Sequence, residues 1–261
     1  MIVYKYLPPS RIDVLEHSRI RFTQPAALND PFETFPCFLE FGPWLLDNIN
    51  QRAIKEFGMQ AAKETFSQRQ TLVVKTLLDL PKTLSKYFVI LSVSKIRDNL
   101  LMWSHYSDSH KGFVIGFDSS STFFSPGGGK ARDGLKSVRY SKHRYVVPKN
   151  GFLSLDDPNL RRANAQVFFT KDPCWKYEKE MRVLAHPDSA DVVLPSSNEY
   201  DNRLFNFPIE CVKEVIIGFK MIESDQRHVF DFVHSRYPYA TIGKAFPHES
   251  KFELNIKMFV G

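Results

Sequence analysis

The spacing of apolar residues along the chain predicts a series of short strands. Strands are indicated where apolar and polar positions alternate, or where β-branched and aromatic residues cluster over a few positions. The predicted strands are residues 3–7, 20–23, 88–94 and 112–118, a short strand around 138, and then 175–184, 212–218, 240–245 and 252–259. Segments of this length have the usual size of strands in globular sheets.

Apolar residues recur at three- and four-residue spacing in other segments, which predicts helices. These are residues 10–19 with Ser10 as the N-terminal cap, 98–107, 158–169 and 224–236. Residues 44–87 carry the longest pattern, and Gly58 and Pro81 should divide it into two or three helices because each weakens or blocks helix continuation.

Strands and helices alternate irregularly, which favours an α+β fold over a doubly wound parallel sheet. We expect a mixed, mostly antiparallel central sheet with flanking helices, in a single domain of residues 1–261 with a helical insertion at about 44–87. A hydrophobic share of 43% is enough to bury a core, and 23 Phe, 10 Tyr and 3 Trp supply large, rigid packing units.

Cysteine usage and hydropathy bear on the compartment. Cys37, Cys174 and Cys211 form no CxxC or CxxH pair, which favours a reducing compartment and argues against a structural zinc site. The opening residues 1–6 have no signal-peptide pattern, and no stretch approaches the ~20 apolar residues of a membrane helix. We therefore predict a cytoplasmic protein without membrane contact; the sequence gives no indication of its oligomeric state.

The net charge of +6 is concentrated in residues 130–149. Seven Lys or Arg residues stand there against one acidic residue, so this segment accounts for the whole excess. Two interpretations remain open. Clustered cations with Tyr140 and Tyr145 between them are suited to nucleic acid or another phosphate-rich partner. The same residues could instead form a solvated loop after the glycine run 127–129.

Several common catalytic motifs are absent from the sequence. The patterns GxGxxG, GxxxxGK[ST], HExxH and GxSxG do not occur. The run Gly127–Lys130 is glycine-rich, but it has neither the Walker spacing nor a Ser or Thr after the lysine, which argues against an ATPase.

Four polar and aromatic motifs stand out when they are read together. They are Tyr4–Tyr6, Asn29–Glu33, Leu101–Gly112 and Trp175–Arg182. In this order and at these separations they resemble the signature of a bacterial family called domain of unknown function 2971. The resemblance spans residues 4–182, and the predicted strand that ends at Gly218 also fits it. It implies one cleft formed by these motifs but no particular reaction.

The last motif carries two carboxylates and a guanidinium. If it is a strand, the period of two places Glu178, Glu180 and Arg182 on one face, with the carboxylates about 7 Å apart. Trp175, Tyr177 and Met181 would then lie on the other face, towards the core. The charged face is either a solvated sheet surface or a site.

The predicted helix 98–107 also has two faces. Trp103 and Tyr106 share one face, and Met102 and His105 share another. Met102 and Trp103 could be core residues. His105 and His110 could act in acid–base chemistry or contact phosphate, since histidine changes charge near neutral pH, or could make structural hydrogen bonds. The intervening turn leaves their geometry open, so no metal site is expected.

A more distant resemblance is to the ADP-ribosyltransferase fold. Lys5, Ser94 and Glu180 keep the order of its polar residue, Ser or Tyr, and Glu, and residues 178–180 are similar to the paired-glutamate motif of some members. Position 5 departs from the usual His or Arg. The resemblance implies NAD as substrate, with Glu180 stabilising an oxocarbenium-like ribose, Glu178 orienting the acceptor, and Lys5 or Arg182 contacting phosphate.

The complete set of candidate binding residues follows from both resemblances. Trp103 or Tyr106 would stack on nicotinamide or adenine. The set consists of Lys5, Tyr6, Asn29, Ser94, Trp103, His105, Tyr106, His110 and Arg182.

Two alternatives remain open beside an NAD-cleaving enzyme. The first is a nucleic-acid-binding protein or metal-dependent nuclease that uses the basic segment and carboxylates such as Asp30, Glu33, Glu178 and Glu180. The second is a non-enzymatic sensor or interaction module, of the kind that acts in phage defence. Both an enzyme and a module could serve bacterial defence.

Overall fold

A computed structural model describes residues 1–30, 32–34, 79–127, 133–146, 166–196 and 199–259. The chain divides into two compact units. Unit 1 comprises Met1–Gln24, Phe88–Val138 and Cys174–Gly261, and unit 2 comprises Pro25–Tyr87 and Arg139–Pro173. Most of the predicted helical insertion, Gly58, Cys37 and most of the predicted helix 158–169 lie outside the described residues. In the part of the chain that is described, no helix combines the length and apolarity needed to cross a membrane.

An eight-stranded sheet organises unit 1. Its strand order is β13-β12-β11-β4-β1-β3-β8-β5. The strands are β1 (Ile2–Leu7), β3 (Val89–Ser94), β4 (Phe113–Asp118), β5 (Lys136–Ser137), β8 (Glu180–Ala185), β11 (Val212–Ile217), β12 (Thr241–Pro247) and β13 (Leu254–Phe259). β11 and β12 are parallel and the other pairs are antiparallel. The predicted α+β class with a mixed, mostly antiparallel sheet is confirmed.

The larger hydrophobic core covers one face of this sheet. It contains buried residues from α1 (Asp13–His17), from α4 (Glu223–Arg236), and from a second sheet in the order β2-β10-β9. That sheet comprises β2 (Arg19–Phe22), β9 (Val192–Leu194) and β10 (Asn202–Asn206). β9 and β10 were not predicted. Their apolar runs are short. In β9 Val193 and Leu194 are both exposed, and in β10 the buried Leu204 and Phe205 are adjacent, so neither strand has a period of two.

The predicted first helix is shorter than its pattern indicated. Pro9–Arg11 form a 3₁₀ turn and α1 begins only at Asp13, so Ser10 does not cap it. The helix ends at Ser18 in a left-handed conformation, and Tyr237 then donates a hydrogen bond of 2.6 Å to the carbonyl of Leu15. Tertiary contacts therefore hold this short helix where side-chain capping does not.

A smaller core covers the opposite face. It is formed by α3 (Leu100–Tyr106), whose Met102 and Trp103 pack on Tyr4 and Tyr6 of β1. Asn99 caps this helix, because its side chain accepts a hydrogen bond of 3.1 Å from the amide of Met102. The predicted helix 98–107 and the core interpretation of Met102 and Trp103 are confirmed.

The described part of unit 2 contains the 3₁₀ helix Pro25–Ala27, the helix α2 (Leu80–Leu84), the helical residues 166–168 of the predicted helix 158–169, and one pair of short strands. Pro81 lies in the first turn of α2, where a missing N–H costs nothing. A helix therefore begins immediately before Pro81, and the predicted helical stretch before residue 79 lies outside the described residues. β6 (Arg139–Tyr140) runs parallel to β7 (Thr170–Lys171).

The predicted strand 175–184 is wrong in its first half. Pro173–Glu178 form a 3₁₀ helix, Lys179 has a positive φ of 43°, and only Glu180–Ala185 are extended. The sequence alternates as a strand would, but Ser94 donates to the carbonyl of Glu178, and the amide of Lys95 to that of Lys179, which fixes the turned conformation. Glu178 therefore does not share the strand periodicity of Glu180 and Arg182.

Two glycines, Gly112 and Gly218, allow the backbone to approach closely at the turn after α3. Asp108, Ser109 and His110 have φ values of 46°, 53° and 70°, a left-handed run that is costly for residues with a side chain. A Cβ at Gly112 would lie 2.0 Å from the carbonyl oxygen of Leu7, and one at Gly218 would lie 2.2 Å from that of His110. The turn is thus held between β1 and the end of β11.

We predict that Gly112→Ala lowers the free energy of unfolding by about 2–3 kcal/mol, because backbone atoms must shift to admit the methyl group. Gly127→Ala is the control. Gly127 has a positive φ of 65°, and apart from its chain neighbours no atom of the described residues lies within 4 Å of its Cβ position, so only about 1 kcal/mol of backbone strain is expected. Urea unfolding of both variants measures the difference, and equal losses would contradict the close approach.

Candidate functional site

Polar side chains form a row across three strands of the main sheet. Tyr4 of β1 pairs with Ser94 of β3, and Ser94 pairs with Glu180 of β8. Ser92 pairs with Arg182 one step further along. Directly paired residues project from the same face of a sheet. Ser94, Glu180 and Arg182, predicted as site residues from distant parts of the sequence, are therefore neighbours.

Glu180 and Arg182 form a buried bidentate ion pair. The Nε of Arg182 donates to Oε1 of Glu180 at 2.7 Å, and Nη2 donates to Oε2 at 3.0 Å. Arg182 is fully buried and Glu180 is 5% exposed. Two parallel charge-assisted hydrogen bonds compensate for the loss of solvation and fix both side chains.

Glu178 is held from two sides. Tyr106 of α3 donates a hydrogen bond of 2.5 Å to its Oε1, and the hydroxyl of Ser94 donates one of 2.6 Å to its main-chain carbonyl. The amide of Ile96 in turn donates to the Ser94 hydroxyl at 3.1 Å. Glu178 is 3% exposed, so the two glutamates are both buried, on either side of the left-handed Lys179.

The strands β1 and β3 pair only at Tyr4 with Ser94, and the side chains of Lys5 and Tyr6 bond to main-chain carbonyls beside this limited pairing. The Nζ of Lys5 donates to the carbonyl of Ser92 at 2.9 Å, and the Tyr6 hydroxyl donates to the carbonyl of Ile96 at 2.9 Å. Side-chain donors thus replace the missing strand-to-strand bonds.

Burial lowers the pKa of Lys5 to about 8, although Glu180 and Glu178 attract its charge and act in the opposite direction. Burial likewise raises the pKa of the Tyr6 hydroxyl. Lys5 therefore lies within the electrostatic reach of both glutamates, and its ammonium is engaged by the Ser92 carbonyl.

Aromatic rings form a chain beside Glu178. The ring centroids of Trp175 and Tyr177 are 6.2 Å apart, those of Tyr177 and His105 are 6.3 Å apart, and those of His105 and Tyr106 are 6.4 Å apart. His105 is exposed, while Tyr106, Trp175 and Tyr177 are half-buried. Tyr177 was expected to face the core, and from the 3₁₀ helix its half-buried ring packs against the smaller core. Trp175, expected to face the core with it, is also only half-buried.

A cleft of about 470 Å³ lies next to this aromatic chain. Its volume falls within the usual range for small-molecule sites. Tyr177 and Lys179, the two neighbours of Glu178 in sequence, line it together with Asp98, Leu101, Phe252 and Glu253. Lys179 and Phe252 are exposed, so the cleft carries an accessible cation and an accessible ring.

Trp103 and His110 are structural in this arrangement. Trp103 is fully buried, its Nε1 donates to the carbonyl of Arg97 at 2.8 Å, and Tyr6 packs against it at a centroid distance of 5.6 Å. The ring of His110 lies parallel to Trp103 and 5.0 Å from Phe219. Burial lowers the pKa of His110, and the charge of Lys220 adds to this effect. The buried indole has no surface on which a ligand could stack.

Glu214 is a further buried glutamate, which no sequence pattern singled out. Glu214 of β11 is 3% exposed and pairs with Arg97. Burial raises the pKa of Tyr4 to about 12, and a hydrogen bond to Glu214 adds to this effect. Only the sheet order, which brings β11 and β1 to either side of β4, could have revealed this contact.

The Asn29–Glu33 motif belongs to unit 2. Asn29 is exposed, whereas Asp30 is buried and its Oδ1 accepts a hydrogen bond of 2.9 Å from the amide of Phe32. Glu33 forms a buried ion pair of 3.2 Å with Lys171. Among the described residues, no group of three or more His, Cys, Asp and Glu side chains is placed to hold a metal ion.

Residues 102–183 match the model of a family described as a protein of unknown function, DUF2971. The matched segment includes most of α3, the turn after it, and the three charged residues Glu178, Glu180 and Arg182. The resemblance to this family that the motifs predicted is confirmed over these residues. No curated protein and no solved structure matches the chain.

We predict that Arg182→Met lowers the free energy of unfolding by about 3–5 kcal/mol, because Glu180 would lose its principal charged partner in a buried position. Glu180→Gln should have a similar effect, and the double variant should cost less than the sum of the two. The control is Arg227→Met, which breaks an exposed Arg–Glu pair and should cost under about 0.5 kcal/mol. Additive losses in the double-mutant cycle would show that the pair is not coupled.

The lowered pKa of Lys5 makes stability depend on pH in a defined window. Between about pH 8 and pH 10.5 the unfolded chain holds the lysine proton more tightly than the folded protein does, so this group makes stability rise with pH. Lys5→Met removes the effect. We expect the difference in unfolding free energy, native minus variant, to increase from about pH 7 to about pH 9.5 in urea titrations. A constant difference would contradict the lowered pKa.

Proposed function

We propose that the cluster around Glu178 binds NAD in the adjacent cleft and cleaves its nicotinamide–ribose bond, as an ADP-ribosyltransferase-like or NAD-hydrolysing enzyme. The observation that carries the proposal is a buried carboxylate, Glu178, fixed by the Tyr106 hydroxyl at 2.5 Å, whose sequence neighbours Tyr177 and Lys179 line a cleft of about 470 Å³. A preorganised carboxylate beside aromatic surface is suited to stabilising a developing cation.

The reaction would proceed by breaking the bond between ribose C1′ and the pyridinium nitrogen. The bonding electron pair leaves with nicotinamide, and positive charge develops on the ribose ring, as in glycoside cleavage. A water molecule or an acceptor nucleophile then bonds to C1′ and loses its proton to solvent. With water the products are ADP-ribose, nicotinamide and a proton.

The contacts of each side chain favour a revised distribution of roles. Both oxygens of Glu180 are bonded to Arg182, so this pair would position β8 and supply the local field, while Glu178 would face the ribose. The half-buried rings of Tyr177 and Tyr106 are better placed than the buried Trp103 to stack on a planar base. Lys179, exposed in the cleft, would contact a phosphate in place of Lys5 or Arg182.

The decisive variant is Glu178→Gln. Glutamine keeps an oxygen that can accept from Tyr106, so the fold should be retained while the charge is lost. We expect the rate of nicotinamide release from NAD to fall by about 10²–10³-fold, the usual effect of removing one transition-state contact. Chromatography of the reaction products measures this rate. Isothermal calorimetry should still detect NAD binding.

The control is Glu210→Gln, the same chemical change at an exposed residue outside the cleft, which should leave turnover unchanged. Glu180→Gln is the less informative variant, because it removes the negative charge that is paired with the buried Arg182 and is expected to destabilise the fold. Absence of NAD binding at about millimolar ligand would remove the proposal. Binding without turnover would favour the sensor alternative.

A further inference from the structure

In addition to the cleft of unit 1, a cavity of about 380 Å³ lies in unit 2 and is not part of the proposed NAD site. It is lined by residues of the segment 139–146 together with Gln166 and Thr170. We call it the Arg139 pocket. Three of its lining residues carry or can acquire a positive charge, namely Arg139, His143 and Arg144, and none of the described residues that line it is acidic.

The walls of the Arg139 pocket are held by backbone and buried contacts. The amide of Arg139 donates to the carbonyl of Phe169 at 2.7 Å, and β6 pairs with β7, which carries Thr170. The next residue of β7, Lys171, forms the buried ion pair with Glu33. Arg139 and Thr170 therefore start from fixed main-chain positions.

The turn that contributes Ser141 and His143 to the pocket is held by two hydrogen bonds. The Ser141 hydroxyl donates to the carbonyl of His143 at 2.9 Å and accepts from the amide of His143 at 3.0 Å. The guanidinium of Arg144 lies over the ring of Phe32 at 5.4 Å from its centroid, a cation–π contact that orients the side chain. Preorganised guanidinium groups lose less conformational freedom when they bind an anion.

We propose that the Arg139 pocket binds a phosphate group, presented either by the backbone of a single-stranded nucleic acid or by a free nucleotide. Guanidinium groups match the geometry of phosphate oxygens. The hydroxyls of Tyr145 and Thr170 and the side-chain amide of Gln166 add neutral hydrogen-bond donors. Six of the lining residues, from Arg139 to Val146, belong to the sequence segment 130–149, which carries the whole excess charge of the chain and would attract a polyanion.

The test measures two ligands against the same variants. A fluorescein-labelled twelve-nucleotide oligothymidine is titrated by anisotropy at about 50 and 200 mM salt, and ADP is titrated by calorimetry. We expect at least one to bind and inorganic phosphate to compete. Arg139→Gln should weaken binding about tenfold, and Arg139→Lys, which keeps the charge, should recover part of the loss. For the oligonucleotide, Arg139→Gln should also reduce the salt slope by about 0.7.

The matched control is Arg236→Gln in unit 1. Arg236 is exposed and lies over the ring of Phe232 at 5.9 Å, so this variant removes one guanidinium charge, and a cation–π contact of the kind that Arg144 makes, outside the Arg139 pocket. Binding of the oligonucleotide alone identifies nucleic acid as the source of the phosphate, and binding of ADP identifies a nucleotide.

Three outcomes would overturn the proposal: neither ligand binds at about 1 mM, Arg139→Gln and Arg144→Gln both bind as the native protein does, or Arg236→Gln weakens binding equally. Circular dichroism of each variant confirms that the fold is retained. Arg144→Gln provides a second variant if Arg139→Gln does not fold. NAD turnover should be the same in all of them, so the two proposals fail independently.

Discussion

Two carboxylates, Glu178 and Glu180, are buried at one face of the main sheet, and keeping them there constrains much of the surrounding structure. A buried carboxylate without partners would cost several kcal/mol. Glu180 is compensated by the fork of Arg182, and Glu178 by the Tyr106 hydroxyl. Each partner comes from an element that must hold its place, β8 in one case and α3 in the other.

The same requirement links α3 to the sheet. Tyr106 can reach Glu178 only if α3 lies flat on β1, and the burial of Trp103 against Tyr6 fixes that packing. The left-handed turn after α3 then returns the chain at Gly112, where the Leu7 carbonyl leaves no room for a side chain. Backbone strain in that turn is thus tolerated because packing on both sides over-determines it.

The limited pairing of β1 with β3 has a comparable explanation. Strands that paired fully would satisfy the carbonyls of Ser92 and Ile96 through backbone amides, but here Lys5 and Tyr6 donate to them. A lysine in this position pays a desolvation penalty that appears as its lowered pKa. The site therefore combines a polar row in the sheet with aromatic rings and a cleft at its edge.

The sequence by itself determined the fold class, most strands of the main sheet, the helices at 98–107 and 224–236, and the motifs that match the family. These depend on local periodicity, and burial against the sheet reinforces it. The convergence of Ser94, Glu180 and Arg182 was inferred from motifs, and strand register places them side by side.

Tertiary structure alone decided which partner each of these residues contacts. Glu178 does not follow the period of a strand, because the hydroxyl of Ser94, far away in sequence, bonds to its main-chain carbonyl. The 3₁₀ helix that ends at Glu178 also places Tyr177 in the lining of the cleft. Trp103 is buried, and Glu214 forms an ion pair with Arg97, through contacts between elements that are distant in sequence. A period of two or 3.6 predicts which face a side chain occupies, but the partner that covers that face depends on strand order and helix packing, which no local pattern contains.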